Sequence, residues 1–563
     1  MKRSQEARAA VQTYLRRFGT RRTIGSDVKA GVVLGVESVP DGLAAGVLAG
    51  VNPLLGLNAY LVGTVTGALT TGSVFMTVQA TGAMSVIISD VPAAQGPNAA
   101  SVIATLTVLA GLIMLGLGVA GLGSLVRFIP SAVLYGFVNG VAINIILGQL
   151  ANFTGFAGTG ENRVSRAVDT AAHIGHFSWP TVAVGASTIA LIFALEALGV
   201  GPLGMVVAVV VGSGLAFIFP QDAVVTLGDS VDIGRSLPSF VAPSLSETPA
   251  LLVPALSLAL VGLVQGAAVS GSTPNPDGHY PNASADFRGQ GLANIASGVL
   301  QGMPVGGSMS ATSLARSAGA RSAFASMVAG LVMVATILVC GPLIENVAMP
   351  ALAGLLILVG VRTLKPHQFR MIWQAGRVQV AVFSVTLALT MTIPLQYAVL
   401  SGVGLAVILH VVQQSNRVRV VQWTFDTPDS RPRETTPPSA LEPGDVVVLS
   451  PYGTLFFASA QAFRSQLPTP VADARGAVAI IRLRGTDELG VTFLTMLGEY
   501  AIELHRAHAT LMLSGVGGGL DDQLTATGVR EQIGDNNVFL SRSRLGDSVF
   551  DALGRARERR QEG

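Results

Sequence analysis

Two short polar, glycine-containing segments, Thr81-Gly82-Ala83-Met84-Ser85 and Gly306-Gly307-Ser308-Met309-Ser310, interrupt long apolar stretches at corresponding places in the two halves of the chain. Broken apolar segments in matching positions point to a transporter's binding site. Helices that begin at mid-membrane aim unpaired backbone N–H groups and the positive ends of their dipoles at a substrate. That chemistry suits an anion. The amides of Gly82, Ala83, Met309 and Ser310 would ring it, with the hydroxyls of Thr81, Ser85, Ser308 and Ser310. Small residues also let helices pack closely, which is the competing reading of each one taken singly. Glu37 and Asp41 flank Pro40 in the first apolar segment, four residues apart and so on one helical face. A carboxylate inside a membrane is costly and marks a functional position, here transfer of a proton through Asp41 or Glu37, and a protonated Asp41 would also bind the substrate by donating a hydrogen bond to the anion; a satisfied structural acid or an accessible vestibule residue is the alternative. Gln79 and Gln265 are uncharged polar candidates for the same cavity, and Glu196 belongs near a helix end.

The elements that must hold these residues follow from composition. Of 563 residues, 50% are hydrophobic and only 12% charged, against about 25% charged in a soluble protein. No charge occurs in residues 43–89, 91–126, 128–160, 289–315 or 378–416. Each run exceeds the roughly 20 residues of a membrane span. Hydrophobicity and turn signals give about fourteen spans, some of them half-helices. They fall near 28–50, 57–72, 81–91, 100–122, 129–149, 180–198, 203–218, 249–271, 289–302, 308–318, 322–340, 346–361, 378–393 and 396–413. The runs before Thr81 and Ser308 are expected to be extended segments crossing at mid-membrane, tolerated only where protein or a cavity satisfies the backbone.

With the N-terminus in the cytoplasm, Arg127, Arg288, Arg316, Arg321, Arg362, Lys365, Arg370, Arg377, Arg417 and Arg419 fall inside. Arg163, Arg166 and Arg235 alone fall outside, so the positive-inside rule places both termini in the cytoplasm of a cell (inner) membrane protein. An even count with seven spans per half makes the second half inverted. Residues 1–25 read as a basic cytoplasmic tail, without the apolar region of a cleavable signal peptide. Cys340, the only cysteine, excludes a disulfide framework or cysteine metal site and reads as a packed core thiol. Lysine occurs only at positions 2, 29 and 365, so no Gly-Lys-Ser/Thr phosphate loop exists and ATP-driven transport by this chain is excluded.

The transmembrane domain is expected over 26–415, a proline-rich extended linker over 416–441, and a soluble α/β domain over 442–563. In the last, strands are expected at Val446–Leu449, Leu455–Phe457, Ala477–Leu483 and Thr510–Leu513. Helices are expected at Leu489–His505, Leu520–Thr527 and Asp547–Arg559.

The segment from Val39-Pro40-Asp41-Gly42 through Asn52-Pro53 resembles the first-span signature of the SulP family, the sulfate permeases and bicarbonate transporters related to prestin and pendrin. Gly289-Gln290-Gly291-Leu292-Ala293-Asn294-Ile295-Ala296-Ser297-Gly298, followed by Gly302-Met303-Pro304-Val305, is similar to that family's ninth-to-tenth-span motif. Pro443–Phe457 and Leu513-Ser514-Gly515-Val516 resemble its C-terminal STAS domain. The resemblance covers nearly the whole chain past the tail. It implies a core of spans 1–4 and 8–11, a gate of spans 5–7 and 12–14, homodimers, elevator-like movement, and an anion held between spans 3 and 10. Those site positions correspond to Thr81, Gly82, Ala83, Gly307, Ser308, Met309 and Ser310.

Departures from the family pattern refine the expectation. Asp41 stands where the family usually has glutamine. Gln265 replaces the eighth-span acid and Val269 a sodium-binding hydroxyl, which argues against sodium coupling. Ala311 replaces the basic residue of many animal relatives, so anion attraction rests on dipoles and amides. No Asp-Ser-Ser-Gly phosphorylation motif occurs in the STAS-like segment. The expected function is secondary active transport of a small inorganic or organic anion, sulfate or bicarbonate class, with protons as the coupling candidate. A dicarboxylate or nucleobase carrier and an anion channel or exchanger are the alternatives. No enzyme activity, cofactor, metal or nucleic-acid partner is expected; membrane lipid and a second copy of the chain are.

Overall fold

The computed structural model describes residues 14, 17–123, 130–201, 203–230, 237–415, 417–425 and 431–562. Most of the basic tail and the linker residues 426–430 lie outside them. Contacts divide the chain into two compact units, 1–406 and 407–563.

The first unit is helical. In chain order it contains α1 (Ile24–Ala49), α2 (Pro53–Thr70), β1 (Thr77–Gln79), α3 (Gly82–Ser89), α4 (Ala99–Val119), α5 (Ser131–Gly148), α6 (Arg163–Ala172), α7 (Trp179–Ala197) and α8 (Leu203–Ala216). There follow α9 (Thr248–Ser272), α10 (Ala283–Val299), β2 (Gly306–Ser308), α11 (Met309–Ser317), α12 (Phe324–Glu345), α13 (Met349–Thr363), α14 (Pro366–Ala375) and α15 (Arg377–Thr392). Helix α16 (Leu395–Ser415) carries the chain into the second unit. Among the described residues, 7 helical stretches are long and apolar enough to cross a membrane. The expected spans all coincide with helices, and α6 and α14 are additional short ones.

These helices form two groups by their most extensive packing. In one, α1 packs on α2 and α12, and α10 packs on α2, α4 and α9. In the other, α5 packs on α6, α13 and α15, α7 packs on α8 and α13, and a Cβ on Gly402 of α16 would lie 3.2 Å from Val133 of α5 and Thr386 of α15. Glycines permit the closest crossings, as membrane helices with no hydrophobic drive between them require. A Cβ on Gly46 of the first-span signature would lie 2.6 Å from the Pro53 Cα, and one on Gly56 would lie 2.1 Å from the Gly42 carbonyl oxygen, so glycines on both helices set the α1–α2 approach. A Cβ on Gly291 would lie 2.6 Å from the Leu115 nitrogen, fixing α10 against α4.

The N-terminal tail is not wholly solvated. The Tyr14 hydroxyl donates to the Leu69 carbonyl at 2.8 Å and Arg17 to the same oxygen at 3.3 Å. Both groups cap the C-terminal end of α2, where the helix dipole favours a cation. Cys340 is half-buried on α12 rather than a core thiol.

The second unit is a six-stranded sheet. Its strands are β3 (Arg419–Thr424), β4 (Arg433–Thr435), β5 (Val446–Tyr452), β6 (Val478–Arg482), β7 (Thr510–Val516) and β8 (Val538–Leu540), in the order β8-β7-β6-β5-β3-β4. Strands β5 to β8 are parallel; β3 runs antiparallel to β5 and β4. Helices α17 (Ala460–Arg464), α18 (Val491–Arg506), α19 (Gly518–Ala526) and α20 (Val529–Ile533) cover one face. Helix α21 (Asp547–Glu562) packs on the other.

The 416–441 segment is not simply a linker: Val418, Val420 and Val421 are buried, and β3 and β4 extend the sheet. Leu455–Phe457 is not a strand. Gly453, at φ +105°, ends β5, and the Ser459 hydroxyl donates to the carbonyls of Thr454 and Phe456, closing a 3-10 turn at Phe457–Ser459.

Tyr500 of α18 is fully buried and its hydroxyl donates to the Pro468 carbonyl at 2.8 Å; burial pushes its pKa up. Tyr500→Phe should destabilise this unit by about 1–3 kcal/mol, the cost of leaving a buried acceptor unpaired. Hydrogen exchange of the β6 and β7 amides in the full chain would measure it.

Candidate functional site

Strands β1 and β2 are antiparallel, with Thr77 opposite Ser308, Val78 opposite Gly307 and Gln79 opposite Gly306. All six residues are buried. Each strand runs directly into a short helix, β1 into α3 and β2 into α11, so two helix N-termini flank one crossing. The cause is local. Thr81 and Ser308 are extended, and each is an N-cap: Thr81 Oγ1 accepts from Met84 N at 3.5 Å and Ser308 Oγ from Ala311 N at 3.3 Å. Hydroxyl caps of this kind start helices where the chain turns from extended backbone.

The caps leave the first amides of each helix, those of Gly82, Ala83, Met309 and Ser310, without intrahelical acceptors. No side chain among the described residues takes them up. Met309 and Ser310 are exposed, Met309 at 45%, although the crossing beside them is buried. Ala83 and Ser85 are buried, and the Ser85 hydroxyl has no partner among the described residues. Ser308 and Ser310 share a hydrogen bond at 3.1 Å. Gln265 of α9 reaches the same place, accepting from Thr81 Oγ1 at 3.1 Å.

Asp41 lies near one face of α1 with Leu34 and Ser38. Leu34 packs with Ala311 and Leu314 of α11, and Ser38 Oγ accepts from Gln79 Nε2 at 2.8 Å. Asp41 and Glu37 are half-buried and take no hydrogen bond or ion pair from the described residues. Tyr60 of α2 is within electrostatic reach of both. Gln79 is a different case. It is 2% exposed and spent on Ser38 and on Thr64 at 3.2 Å, so it joins α1 and α2 to β1 rather than facing a cavity. Glu196 ends α7 and pairs with Arg362 at 2.7 Å.

A set of supporting residues is not evident from motif and spacing. Gln290, Asn294 and Ser297 occupy one face of α10 at spacings of four and three. Gln290 Oε1 accepts from Gly307 N at 3.0 Å, Asn294 Oδ1 accepts from Val305 N at 2.9 Å, and Asn294 Nδ2 donates to Val305 O at 2.7 Å. Ser297 donates to Met303 O at 2.8 Å. Thr312 Oγ1 donates to Ser308 O at 2.6 Å and accepts from Thr77 N at 3.1 Å. Together they satisfy extended backbone that hydrocarbon could not. The chain does carry a signal for them: three uncharged polar residues, at 290, 294 and 297, on one helical face within the charge-free run 289–315.

The sulfate permease family model matches residues 24–386, and the STAS domain model matches 437–544. The chain belongs to the sulfate permease family. It is 27% identical over 531 residues to the probable sulfate transporter MT1781 of Mycobacterium tuberculosis, covering 92% of this chain and 94% of that one. It is 28% identical over 455 residues to the bicarbonate transporter BicA of a Picosynechococcus strain, covering 78% and 80%. The structure of murine solute carrier 26 family member A9, an anion transporter in the inward-facing state, superposes with TM-score 0.83 at 18% identity over 97% of this chain and 94% of that one. The fold is therefore that of a polytopic helical membrane transporter with a C-terminal α/β STAS domain. Members of the family are transporters, not enzymes.

Proposed function

We propose that this chain is a secondary active transporter of a small anion of the sulfate or bicarbonate class. The anion binds between the N-termini of α3 and α11, held by the amides of Gly82, Ala83, Met309 and Ser310 and the hydroxyls of Thr81 and Ser310. The observation that carries the reading is the pair of helix beginnings at one buried strand crossing, with amides left over on both. Family membership supports anion transport, and relatives named as sulfate and bicarbonate transporters support the substrate class. Thr81, Gly82, Ala83, Gly307, Ser308, Met309 and Ser310 form the site, with Ser85 and Gln265 behind it.

Transport proceeds by movement of the α1–α4 and α9–α12 group against the other helices, in an inverted-repeat arrangement of about fourteen spans. Two chains associate. Both termini lie in the cytoplasm, and the transporter sits in the cell (inner) membrane. Asp41, with Glu37 beside it, carries the coupling proton: two acids within a membrane span, without a partner among the described residues, have no structural role to explain them.

Purified protein in liposomes tests this with labelled sulfate, bicarbonate, fumarate and uracil, with and without a pH gradient. Sulfate or bicarbonate uptake that rises with an inward proton gradient is the expected result, and Asp41→Asn should remove the gradient response while leaving exchange of bound anion. An unchanged pH response in Asp41→Asn defeats proton coupling through Asp41. Uracil or fumarate uptake with sulfate and bicarbonate ignored defeats the anion class, and the unpaired acids would then serve a neutral or protonatable ligand.

A further inference from the structure

The α3 helix that presents Gly82 and Ala83 is tied at its other end to the second helix group by one ion pair. Asp90 follows α3, and its Oδ1 lies 2.7 Å from Nη2 of Arg163, the first residue of α6. The same Nη2 donates to Ser89 Oγ at 2.6 Å. Asp90 Oδ2 accepts from the backbone N–H of Leu395, the first residue of α16, at 2.8 Å. The side chains of Arg163 and Asp90 are 17% and 12% exposed, so the pair is largely out of solvent. Among the described residues it is the only ion pair joining the two helix groups. A second polar link, from Ser257 Oγ of α9 to Gln396 O of α16 at 2.8 Å, lies beside it in sequence.

The placement of the two charges is unfavourable within their own helices. Asp90 is an anion at the C-terminal, negative end of α3, and Arg163 is a cation at the N-terminal, positive end of α6. Each becomes favourable only across the junction. Arg163 then sits at the negative end of α3, beside Ser89, and Asp90 sits at the positive end of α16, on the Leu395 N–H. Charges placed for local helix stability would be reversed. Their position also marks one membrane face: Gln95, just past Asp90, donates to the carbonyl of Ala49 at the end of α1, so the junction lies at the face where α1 ends.

We infer that Asp90 and Arg163 are positioning residues of the transport cycle, a latch that holds the α3 end of one helix group against α6 and α16 of the other and keeps the Ala49 face closed. The inference rests on the proposed movement of one helix group against the other, since a latch between parts that never separate would have no consequence for transport. Breaking a largely buried ion pair by removing one partner is strongly destabilising to the state that contains it. The state in which the groups have separated at this face gains in proportion.

Accessibility of a single thiol tests the latch without reference to any substrate. In a Cys340→Ser background, Met309→Cys places a reporter at an exposed position beside the strand crossing. A membrane-impermeant maleimide is applied to intact cells and to inverted vesicles, so that each face is probed in turn. Asp90→Asn and Arg163→Gln should each raise the labelling rate from the Ala49 face roughly tenfold and lower it from the opposite face, as a population shift requires. The double variant should shift the rates no further than either single one, because the two losses share one interaction and the double leaves no unpaired buried charge. Arg163→Lys should keep the wild-type rates. Arg362→Gln breaks the Arg362–Glu196 pair inside one group and should also leave them unchanged. Labelling from both faces that is indifferent to Asp90→Asn and Arg163→Gln overturns the latch while leaving the moving-group reading in place. Labelling from one face alone in every variant overturns the movement itself.

Discussion

Ser310→Glu should abolish anion uptake while leaving the protein folded. Ser310 is the second residue of α11, exposed, and carries one of the amides left without an acceptor by the Ser308 cap. A carboxylate at this position is locally welcome: acids in the first turn of a helix contribute about 0.3–1 kcal/mol by complementing the dipole. The variant therefore has no reason to unfold. The same charge occupies the potential that would attract the substrate. Two like charges about 4 Å apart at an effective dielectric near 20 repel by roughly 4 kcal/mol, close to a thousandfold in affinity. Ser310→Ala removes only a hydroxyl shared with Ser308 and should weaken binding by about tenfold or less. Sulfate uptake into liposomes and thermal unfolding of the same preparations separate the two effects. Wild-type uptake by a folded Ser310→Glu protein would show that the anion does not bind at the start of α11.

That prediction depends on residues whose meaning is legible in the sequence alone. Thr81 and Ser308 announce helix starts inside apolar runs, because a hydroxyl N-cap among glycines has few other uses in hydrocarbon. The charge-free runs separate the spans for a similarly simple reason, the cost of charge in lipid. What stays hidden involves side chains acting across sequence distance. Gln79 and Gln265 look alike as uncharged polar residues in apolar surroundings, yet one bonds Ser38 and Thr64 and the other Thr81. Periodicity does not distinguish a polar side chain that faces a cavity from one that ties two helices. Arg163 is legible as a loop charge outside the apolar spans, but nothing near it in sequence indicates a partner at Asp90, 73 residues earlier. Strand β3 is invisible to hydropathy because its valines at 420 and 421 form only a two-residue apolar run, bounded by Arg417 and Arg419 on one side and Gln422 on the other.

The α10 tethers carry the second large prediction. Asn294→Leu should cost the folded transporter about 2–6 kcal/mol, since two buried backbone groups lose their partners at about 1–3 kcal/mol each. The side chain is fully buried, and leucine is close to asparagine in size, so packing alone does not account for a loss on that scale. Asn294 is bonded to both the N–H and the carbonyl of Val305, the residue just before β2. In hydrocarbon no water replaces those bonds, and an extended strand has no helix of its own to satisfy them. Gln290→Leu removes a single bond, to Gly307 N, and should cost about half as much. A second consequence distinguishes this role from general stability. With Val305 free, β2 loses its register against β1, and the α11 amides no longer meet those of α3. Bound sulfate would then protect the wild-type chain against heat but protect Asn294→Leu far less, even at temperatures where both are folded. Equal thermal stability of the two proteins, with equal protection by sulfate, would mean that the crossing is held by the β1–β2 pairing without α10.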